Sequence, residues 1–240
     1  MPRRILVLNP NTSPEVTDAY LAAARAVAPE RVIFTGVTGR FGARIVSTEA
    51  ENVIAAHSAL ELAAEHGAGH DALILAISFD TGLSALRSVL PMPVIGITEA
   101  ALHAAATGGR QVGVIFFGEV SHGLYESVLA QNGFVPTCMA AINVSGASDY
   151  LAPEAKDAAV RNACLDLHAG GAEAVVILGA AIVGMAARLT PELPLPIFDG
   201  IEAVRVAFDA PATKAKGQVP LGECRGLSPA LARLIRGDIR

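Results

Sequence analysis

The protein has 240 residues, of which 52% are hydrophobic and 17% are charged, and its formal net charge is −5. A chain of this length and apolar content can bury a full core, either as one large α/β unit or as two intertwined lobes. Because the net charge is negative and no basic block is present, neither nucleic acid nor an anionic membrane is an expected partner.

Targeting segments and metal clusters are not predicted. The apolar runs are shorter than the ~20 residues of a membrane span, and the amino terminus lacks the apolar core of a signal peptide. Three widely spaced cysteines favour reduced thiols in a cytoplasmic protein, namely Cys138, Cys164 and Cys224. The histidines at 57, 66 and 70 have no cysteine or acidic partner at ligand spacing, so no metal site is expected.

Short apolar runs alternate with Ala-rich helical patterns along the whole chain. In the first half, strands are predicted at 5–8, 31–37, 72–77 and 93–97, with helices beginning after Ser13 and near Thr48, then at Leu83 and at Thr98. In the second half, strands are predicted at 111–117, 134–141, 174–179 and 196–198. Two helices there are predicted to end near Gly133 and Gly170, and a third begins after Asp199. An irregular arm is predicted over 210–226, followed by a last helix that starts near Ser228.

The segment 72–82 is the most informative part of the pattern, because a buried strand breaks there into small polar residues. It recurs about a hundred residues later at 174–184, where Ser78 corresponds to Ala180 and Gly82 to Gly184. The repeat predicts an α/β fold with two pseudo-symmetric lobes, each a parallel sheet flanked by helices, and an active-site cleft between them. Residues 1–240 form one unit, with lobe 1 at about 1–105 plus a return over 205–240, and lobe 2 at about 106–204.

Several polar residues follow the predicted strands, where open α/β sheets bind their ligands. Asn11 and Thr12 either only turn the chain and cap a helix, or also direct donors at a ligand. Ser47 is a second capping candidate beside Thr48. His122 and Glu119 come directly after a strand, which makes His122 either a helix-start residue or a catalyst.

Five motifs carry a resemblance to a known family. They are Leu8-Asn-Pro-Asn-Thr-Ser13, Ser78-Phe-Asp-Thr-Gly-Leu83, Pro93-Val-Ile-Gly-Ile97 with Glu99-Ala-Ala, Leu178-Gly-Ala180 and Pro196-Ile-Phe-Asp-Gly200. In order and spacing the chain resembles the aspartate/glutamate/hydantoin racemase superfamily, closest to its hydantoin racemase-like branch. The resemblance implies two α/β lobes, no cofactor, and a small carbonyl or carboxylate substrate held between strand-end loops.

One departure from the family pattern concerns the reacting groups. The family places one cysteine thiol on each side of the substrate, and the matched positions here are Ser78 and Ala180; a gapless alignment to Asp80 replaces Ser78 by Ile77, which is no thiol either. The second face, residues 180–183, is expected to be an apolar wall that cannot deliver a proton. The sequence therefore predicts that the two-thiol route is absent and that any chemistry is one-sided.

The candidate site and three function classes follow. Catalytic candidates are Ser78, Asp80, Glu119 and His122, and substrate-binding candidates are Asn11, Thr12, Ser47, Phe79, Thr81, Gly82, Gly118, Ala180, Ala181 and Gly184. The first class is a cofactor-independent isomerase or racemase that acts on a small cyclic ureide, imide or amino-acid derivative by altered proton transfer. The others are a hydrolase or decarboxylase dependent on Ser78, helped by His122 and by Asp80 or Asp199, and a non-catalytic binding protein. The expected partner is a small molecule, and an Ala-rich, weakly charged surface favours a homo-oligomer.

Overall fold

The structure is a computed structural model that describes residues 2–29, 31–211 and 225–237. Its strands are β1 (Arg3–Asn9), β2 (Val32–Thr38), β3 (Ala72–Leu75), β4 (Val94–Gly96), β5 (Val112–Phe117), β6 (Cys138–Ile142), β7 (Ala174–Ile177) and β8 (Ile197–Phe198). Its α-helices are α1 (Pro14–Val27), α2 (Glu49–His66), α3 (Leu83–Val89), α4 (Ile97–Ala105), α5 (His122–Gln131), α6 (Ala147–Tyr150), α7 (Asp157–Ala169), α8 (Met185–Leu189), α9 (Glu202–Asp209) and α10 (Pro229–Arg236).

Two parallel sheets organise the chain. The first has the strand order β2-β1-β3-β4 and the second has the order β6-β5-β7-β8, so the two halves share one topology. All strand pairs are parallel, and the central strands β1, β3, β5 and β7 are almost fully buried, as expected for sheets covered by helices on both faces. The predicted α/β fold with two lobes is confirmed.

The internal repeat extends to single side chains. Asp71 stands just before β3, and its carboxylate accepts a 2.7 Å hydrogen bond from the backbone N–H of Arg4. Glu173 stands just before β7 and accepts a 2.9 Å bond from the N–H of Gln111 in the same way. In each lobe an acidic side chain thus fixes the start of one central strand beside the next.

Some boundaries differ from the predicted ones. The strand predicted at 134–141 begins only at Cys138, because the preceding stretch contains Pro136, which has no N–H to donate to a sheet. The helix predicted to end near Gly170 is α7, which is preceded by a 3₁₀ turn at Pro153–Lys156 and by the short helix α6. Most of the predicted arm at 210–226 lies outside the described residues.

A continuous apolar core joins the two lobes. One cluster of buried side chains contains Leu73 and Leu75 of β3 together with Val114 and Val176 of lobe 2. The last two helices pack back on the first lobe, α9 against α4 and β3, and α10 against α2. Within the described part of the chain, no helix is long and apolar enough to cross a membrane.

The helix α2 begins with a capping box formed by Thr48 and Glu51. Thr48 Oγ1 accepts from the N–H of Glu51 at 3.3 Å, and the Glu51 carboxylate accepts from the N–H of Thr48 at 3.0 Å, which is a capping box. Replacing Thr48 by Ala leaves a helical N–H without its acceptor, so the free energy of unfolding is expected to fall by about 1 kcal/mol in urea titrations. The control is Ser127→Ala on the exposed face of α5, which is expected to change the stability little; equal losses in both variants contradict the capping role.

Candidate active site

A cavity of about 590 Å³ lies where the strand ends of both sheets meet. Loops that follow β1, β3, β5, β6 and β7 all contribute to its wall, as expected for ligand sites in parallel α/β sheets. Its polar lining residues are Asn11, Arg44, Ser47, Glu51, Ser78, Glu119, Ser121, Tyr125, Asn143 and Tyr150. Both repeat-related positions, Ser78 and Ala180, line this same cavity.

A serine and a tyrosine form a polar pair in the cavity wall. Ser78 Oγ and Tyr125 Oη lie 3.1 Å apart, and both side chains are almost completely buried. Tyr125 stands on α5 and packs between the rings of Phe79 and Phe116, at centroid distances of 4.6 and 5.2 Å. Burial raises the pKa of Tyr125 above its ordinary value, so the phenol stays protonated. Its hydroxyl also lies 3.5 Å from the carbonyl oxygen of Leu178, to which it can donate.

The loop that carries Ser78 is fixed to the start of α4. Asp80 adopts a left-handed backbone with φ of 47°, and its carboxylate accepts from the N–H groups of Thr98 at 3.2 Å and Glu99 at 2.8 Å. The Thr98 hydroxyl donates to the carbonyl oxygen of Ser78 at 2.6 Å. Burial raises the pKa of Asp80 to about 7, while the two backbone donors act in the opposite direction. Asp80 therefore holds the position of Ser78 and does not line the cavity itself.

The second wall is not the apolar surface that the sequence predicted. Tyr150 lines the cavity together with Ala180, and a methyl group added at Gly179 would lie 2.7 Å from Tyr150 Oη. Burial raises the pKa of Tyr150 to about 12, and hydrogen bonding from the backbone of Ala181 and Ala180 partly opposes this shift. A phenolic hydroxyl therefore stands at the backbone of the position where the family pattern has its second thiol.

Asn11 both fixes the turn after β1 and has a side-chain donor available to a ligand, the two roles that the sequence left open. Its Oδ1 accepts from the side-chain amide of Asn9 at 2.8 Å and from the N–H of Ser13 at 2.9 Å, which fixes the turn after β1. Ser13 precedes α1, but its hydroxyl donates to the carbonyl of Arg44 and does not cap the helix. Asn11 Nδ2 has no protein acceptor within the described ranges, so it remains free to donate to a ligand in the cavity.

Two carboxylates line the cavity, and they differ in their surroundings. Glu51 accepts hydrogen bonds from the backbone N–H groups of Ser47 and Thr48 in the capping box. Glu119 begins a 3₁₀ turn directly after β5, and its carboxylate forms no ion pair or hydrogen bond with any residue the structure describes. Of the two lining carboxylates, Glu119 is therefore the one without a hydrogen-bond or ion-pair partner among the described residues.

The cavity brings together about half of the predicted site residues. Those that line it are Asn11, Ser47, Ser78, Phe79, Gly118, Glu119 and Ala180. Those that do not are Thr12, Asp80, Thr81, Gly82, His122, Ala181 and Gly184. The His122 ring stacks on Phe116 and its Nε2 lies 3.7 Å from the Glu126 carboxylate, on the outer part of α5. Thr81 bonds to Asn52, Gly82 lines a separate groove with Asp80, and Gly184 precedes α8.

Sequence reasoning missed the two tyrosines of the cavity. The chain has only 3 tyrosines, and two of them, Tyr125 and Tyr150, line the site. Neither belongs to a motif, but a rare aromatic residue with a polar tip, near a strand-end loop, is a usable signal. Four further polar lining residues, Arg44, Glu51, Ser121 and Asn143, also carried no prediction for the site.

The cysteines in the described part of the chain lie away from the cavity. Cys164 is buried in the core of lobe 2, where burial raises its pKa to about 12, and Cys138 packs against the same core. The third, Cys224, lies outside the described residues. Within the described ranges, no group of three or more His, Cys, Asp and Glu side chains is placed to hold a metal ion.

The two parallel sheets, with one cavity at their strand ends, define a two-lobed α/β enzyme fold. The chain belongs to the Asp/Glu/hydantoin racemase family, because the family model described as "Asp/Glu/Hydantoin racemase" matches residues 5–207. The superfamily resemblance seen in the motifs is thus confirmed, and the homologues support an enzyme of the racemase or isomerase type.

Particular relatives cover most of the chain. A hydantoin racemase from Paenarthrobacter aurescens is 29% identical over 213 residues, which span 85% of this chain and 89% of the relative. The structure of an allantoin racemase from Klebsiella pneumoniae superposes with a TM-score of 0.85 at 31% identity, covering 95% of this chain and 98% of the other. Arylmalonate decarboxylase has a TM-score of 0.59 at 12% identity over 88% of this chain and 95% of its own, which shows the shared fold alone.

Proposed function

We propose that this protein is a cofactor-independent isomerase or racemase that acts on a small cyclic ureide and transfers the proton without thiols. The observation that carries the proposal is the single cavity that holds the Ser78–Tyr125 pair, Glu119 and Ala180 together. Hydantoin and allantoin, the compounds in the names of the relatives, are both cyclic ureides. In such rings the proton to be moved lies next to a carbonyl group, whose oxygen takes up negative charge when that proton leaves.

Glu119 is the base in this mechanism. Its carboxylate lines the cavity and is not engaged by another described residue, whereas Glu51 is held by backbone donors. General bases contribute on the order of 10²- to 10⁴-fold to such reactions when they reach the proton directly.

The Ser78–Tyr125 pair donates a hydrogen bond to the oxygen that becomes negative. Either hydroxyl of the pair can donate to the other, and the second proton is then available to the ligand. In the arrangement that this mechanism uses, the protonated phenol of Tyr125 donates to Ser78, and the serine hydroxyl points its own proton at the ligand. Fixed donors of this kind stabilise an enolate without reorganisation, since Asp80 and Thr98 hold the loop in place.

A hydrolase based on Ser78 gains less support. A serine nucleophile needs a base that takes its proton, and the partner of Ser78 is a phenol that keeps its own. His122 and Asp80, the helpers considered for that role, do not line the cavity, and Asp199 accepts from the backbone N–H groups of Gly184 and Ala186 at the start of α8.

Substrate binding follows from the rest of the lining. Asn11 Nδ2 is available to a ring carbonyl, while Val16, Ile45, Phe117 and Val144 supply apolar wall around it. This combination suits a polar ring with an apolar substituent. A cytoplasmic location and a homo-oligomer remain predictions from composition.

The test is racemisation in deuterated water. Both enantiomers of 5-benzylhydantoin and of allantoin are incubated with the protein, and optical rotation and deuterium at the chiral carbon are followed together. The expected result is racemisation with deuterium uptake at a rate that is unchanged when Cys138, Cys164 and Cys224 are all replaced by Ser. Loss of the rate in that variant, with the fold intact, shows a thiol route, and no turnover of either compound overturns the proposal.

A further inference from the structure

The second wall of the cavity contains a proton-bearing group that no motif of the family pattern supplies. Tyr150 stands at the end of α6 and lines the cavity beside Ala180. Its ring contacts Phe117 edge to face at a centroid distance of 5.8 Å, and it packs against the apolar clusters of both lobes. These contacts fix the ring, so the hydroxyl has a defined position.

The backbone around Ala180 is shaped for this hydroxyl. A methyl group on Gly179 would lie 2.7 Å from Tyr150 Oη, so only glycine leaves room for the phenol there. Hydrogen bonding from the backbone of Ala181 and Ala180 favours the anionic form of Tyr150, which is the direction a departing proton requires. Burial keeps the group protonated until the substrate needs the proton, since it raises the pKa to about 12.

The segment before Tyr150 is itself tied down. Asp149 accepts from the N–H of Ser145 at 2.9 Å and pairs with Lys156 at 2.6 Å. These contacts hold the four-residue helix that carries Tyr150 in place beside the cavity.

We propose that Tyr150 is the catalytic acid of the second face, in the role that the family pattern gives to the thiol missing at Ala180. The assignment rests on the proposed function and deepens it, because it turns one-sided proton removal into inversion. It replaces the expectation that this wall cannot deliver a proton.

The proton balance closes with the groups in the cavity. Glu119 takes the proton from the substrate carbon, and the electron pair of that C–H bond passes into the enolate. The assignment requires the substrate carbon to lie between Glu119 and Tyr150, which line the same cavity. The enolate then forms a new C–H bond with the proton of Tyr150 on the face turned away from Glu119, and the O–H bond of Tyr150 breaks and leaves a phenolate beside the backbone of Ala180 and Ala181. Glu119 then releases its proton to water, and water returns a proton to the phenolate of Tyr150. In the reverse direction, Tyr150 acts as the base and Glu119 as the acid.

The test compares inversion with exchange in Tyr150→Phe. In deuterated water with each enantiomer of 5-benzylhydantoin and allantoin, and after subtraction of the rate without enzyme, the variant is expected to lose at least tenfold in racemisation. Deuterium uptake with retained configuration is expected to persist for the enantiomer whose C–H bond faces Glu119, because Glu119 still removes that proton and returns a deuteron to the same face. The other enantiomer, whose C–H bond faces position 150, is expected to lose exchange together with inversion. A role in packing alone lowers both rates together for either enantiomer, so an unchanged ratio of exchange to inversion for the enantiomer that faces Glu119 overturns the assignment.

Two further variants guard against misfolding. Gly179→Ala displaces the phenol of Tyr150 without removing it, so it is expected to raise the ratio of exchange to inversion. Tyr20→Phe removes a buried phenol that is bonded to Gly200 outside the cavity, so it is expected to leave that ratio unchanged. Failure of the proposed function is distinguishable, since the wild-type protein then shows neither exchange nor inversion. A normal ratio in Gly179→Ala alongside a normal ratio in Tyr150→Phe removes Tyr150 from the mechanism.

Discussion

Replacing Ser78 by Ala is expected to lower kcat/KM for racemisation on the order of 10²- to 10³-fold, the cost of removing one fixed donor to a developing oxyanion. The change deletes the hydroxyl that lies 3.1 Å from Tyr125 Oη and leaves that buried phenol only its long contact with the carbonyl oxygen of Leu178, at 3.5 Å. The carbonyl of Ser78 still accepts from Thr98, so the loop is expected to keep its shape. The measurement is steady-state polarimetry with each enantiomer, combined with thermal unfolding to confirm the fold.

The matched control is Ser84→Ala, an exposed serine of α3 that lines the separate groove and not the cavity. Its kcat/KM is expected to stay at the wild-type value. Ser78→Cys offers a second comparison, because a thiol beside Tyr125 creates a site for alkylating reagents that the wild-type cavity lacks among its described lining residues. Full activity in Ser78→Ala contradicts the donor role directly.

Replacing Gly39 by Ala is expected to lower the free energy of unfolding by roughly 2 kcal/mol or more, because the added methyl group has nowhere to go. It would lie 2.3 Å from the carbonyl oxygen of Pro10 and 2.8 Å from that of Asn11, and backbone atoms cannot rotate away as a side chain can. The N–H of Gly39 also donates to the carbonyl oxygens of Asn9 and Asn11. The turn that presents Asn11 to the cavity must therefore shift, so KM is expected to rise as well.

Gly123→Ala is the control, since it adds the same methyl group on α5 where no atom lies within 4 Å. An alanine inside a helix is preferred to glycine, so this variant is expected to gain about 0.5–1 kcal/mol. Urea titrations monitored by circular dichroism measure both. Similar stabilities for the two variants refute the close approach of Gly39 to the turn.

Most of the fold is predictable from the sequence because its signals are local and repeated. Buried parallel strands of four to seven residues give apolar runs, and the match between 72–82 and 174–184 is enough to indicate two lobes. Glycine and proline set many of the boundaries. The errors fall around 134–156, where Pro136 delays β6 and short helical turns replace a loop, since such turns depend on contacts that a local pattern does not encode.

The site is predictable only where it lies in a strand-end loop. Ser78, Asn11 and Glu119 follow directly from that rule, and all three line the cavity. Tyr125 stands on α5 and Tyr150 at the end of the short helix α6, so their convergence on Ser78 and Ala180 depends on how the two lobes pack. Asp80 is a predicted catalyst because of its neighbours in sequence, but its backbone turns the carboxylate toward the start of α4.

The bond between Ser78 and Tyr125 joins the two lobes, since one residue follows β3 and the other stands on α5. The hydrogen bond that the pair offers to a ligand therefore depends on how the two lobes pack against each other. A core substitution that changes this packing, even far from the cavity, is expected to change the distance between the two hydroxyls and with it the rate of the reaction.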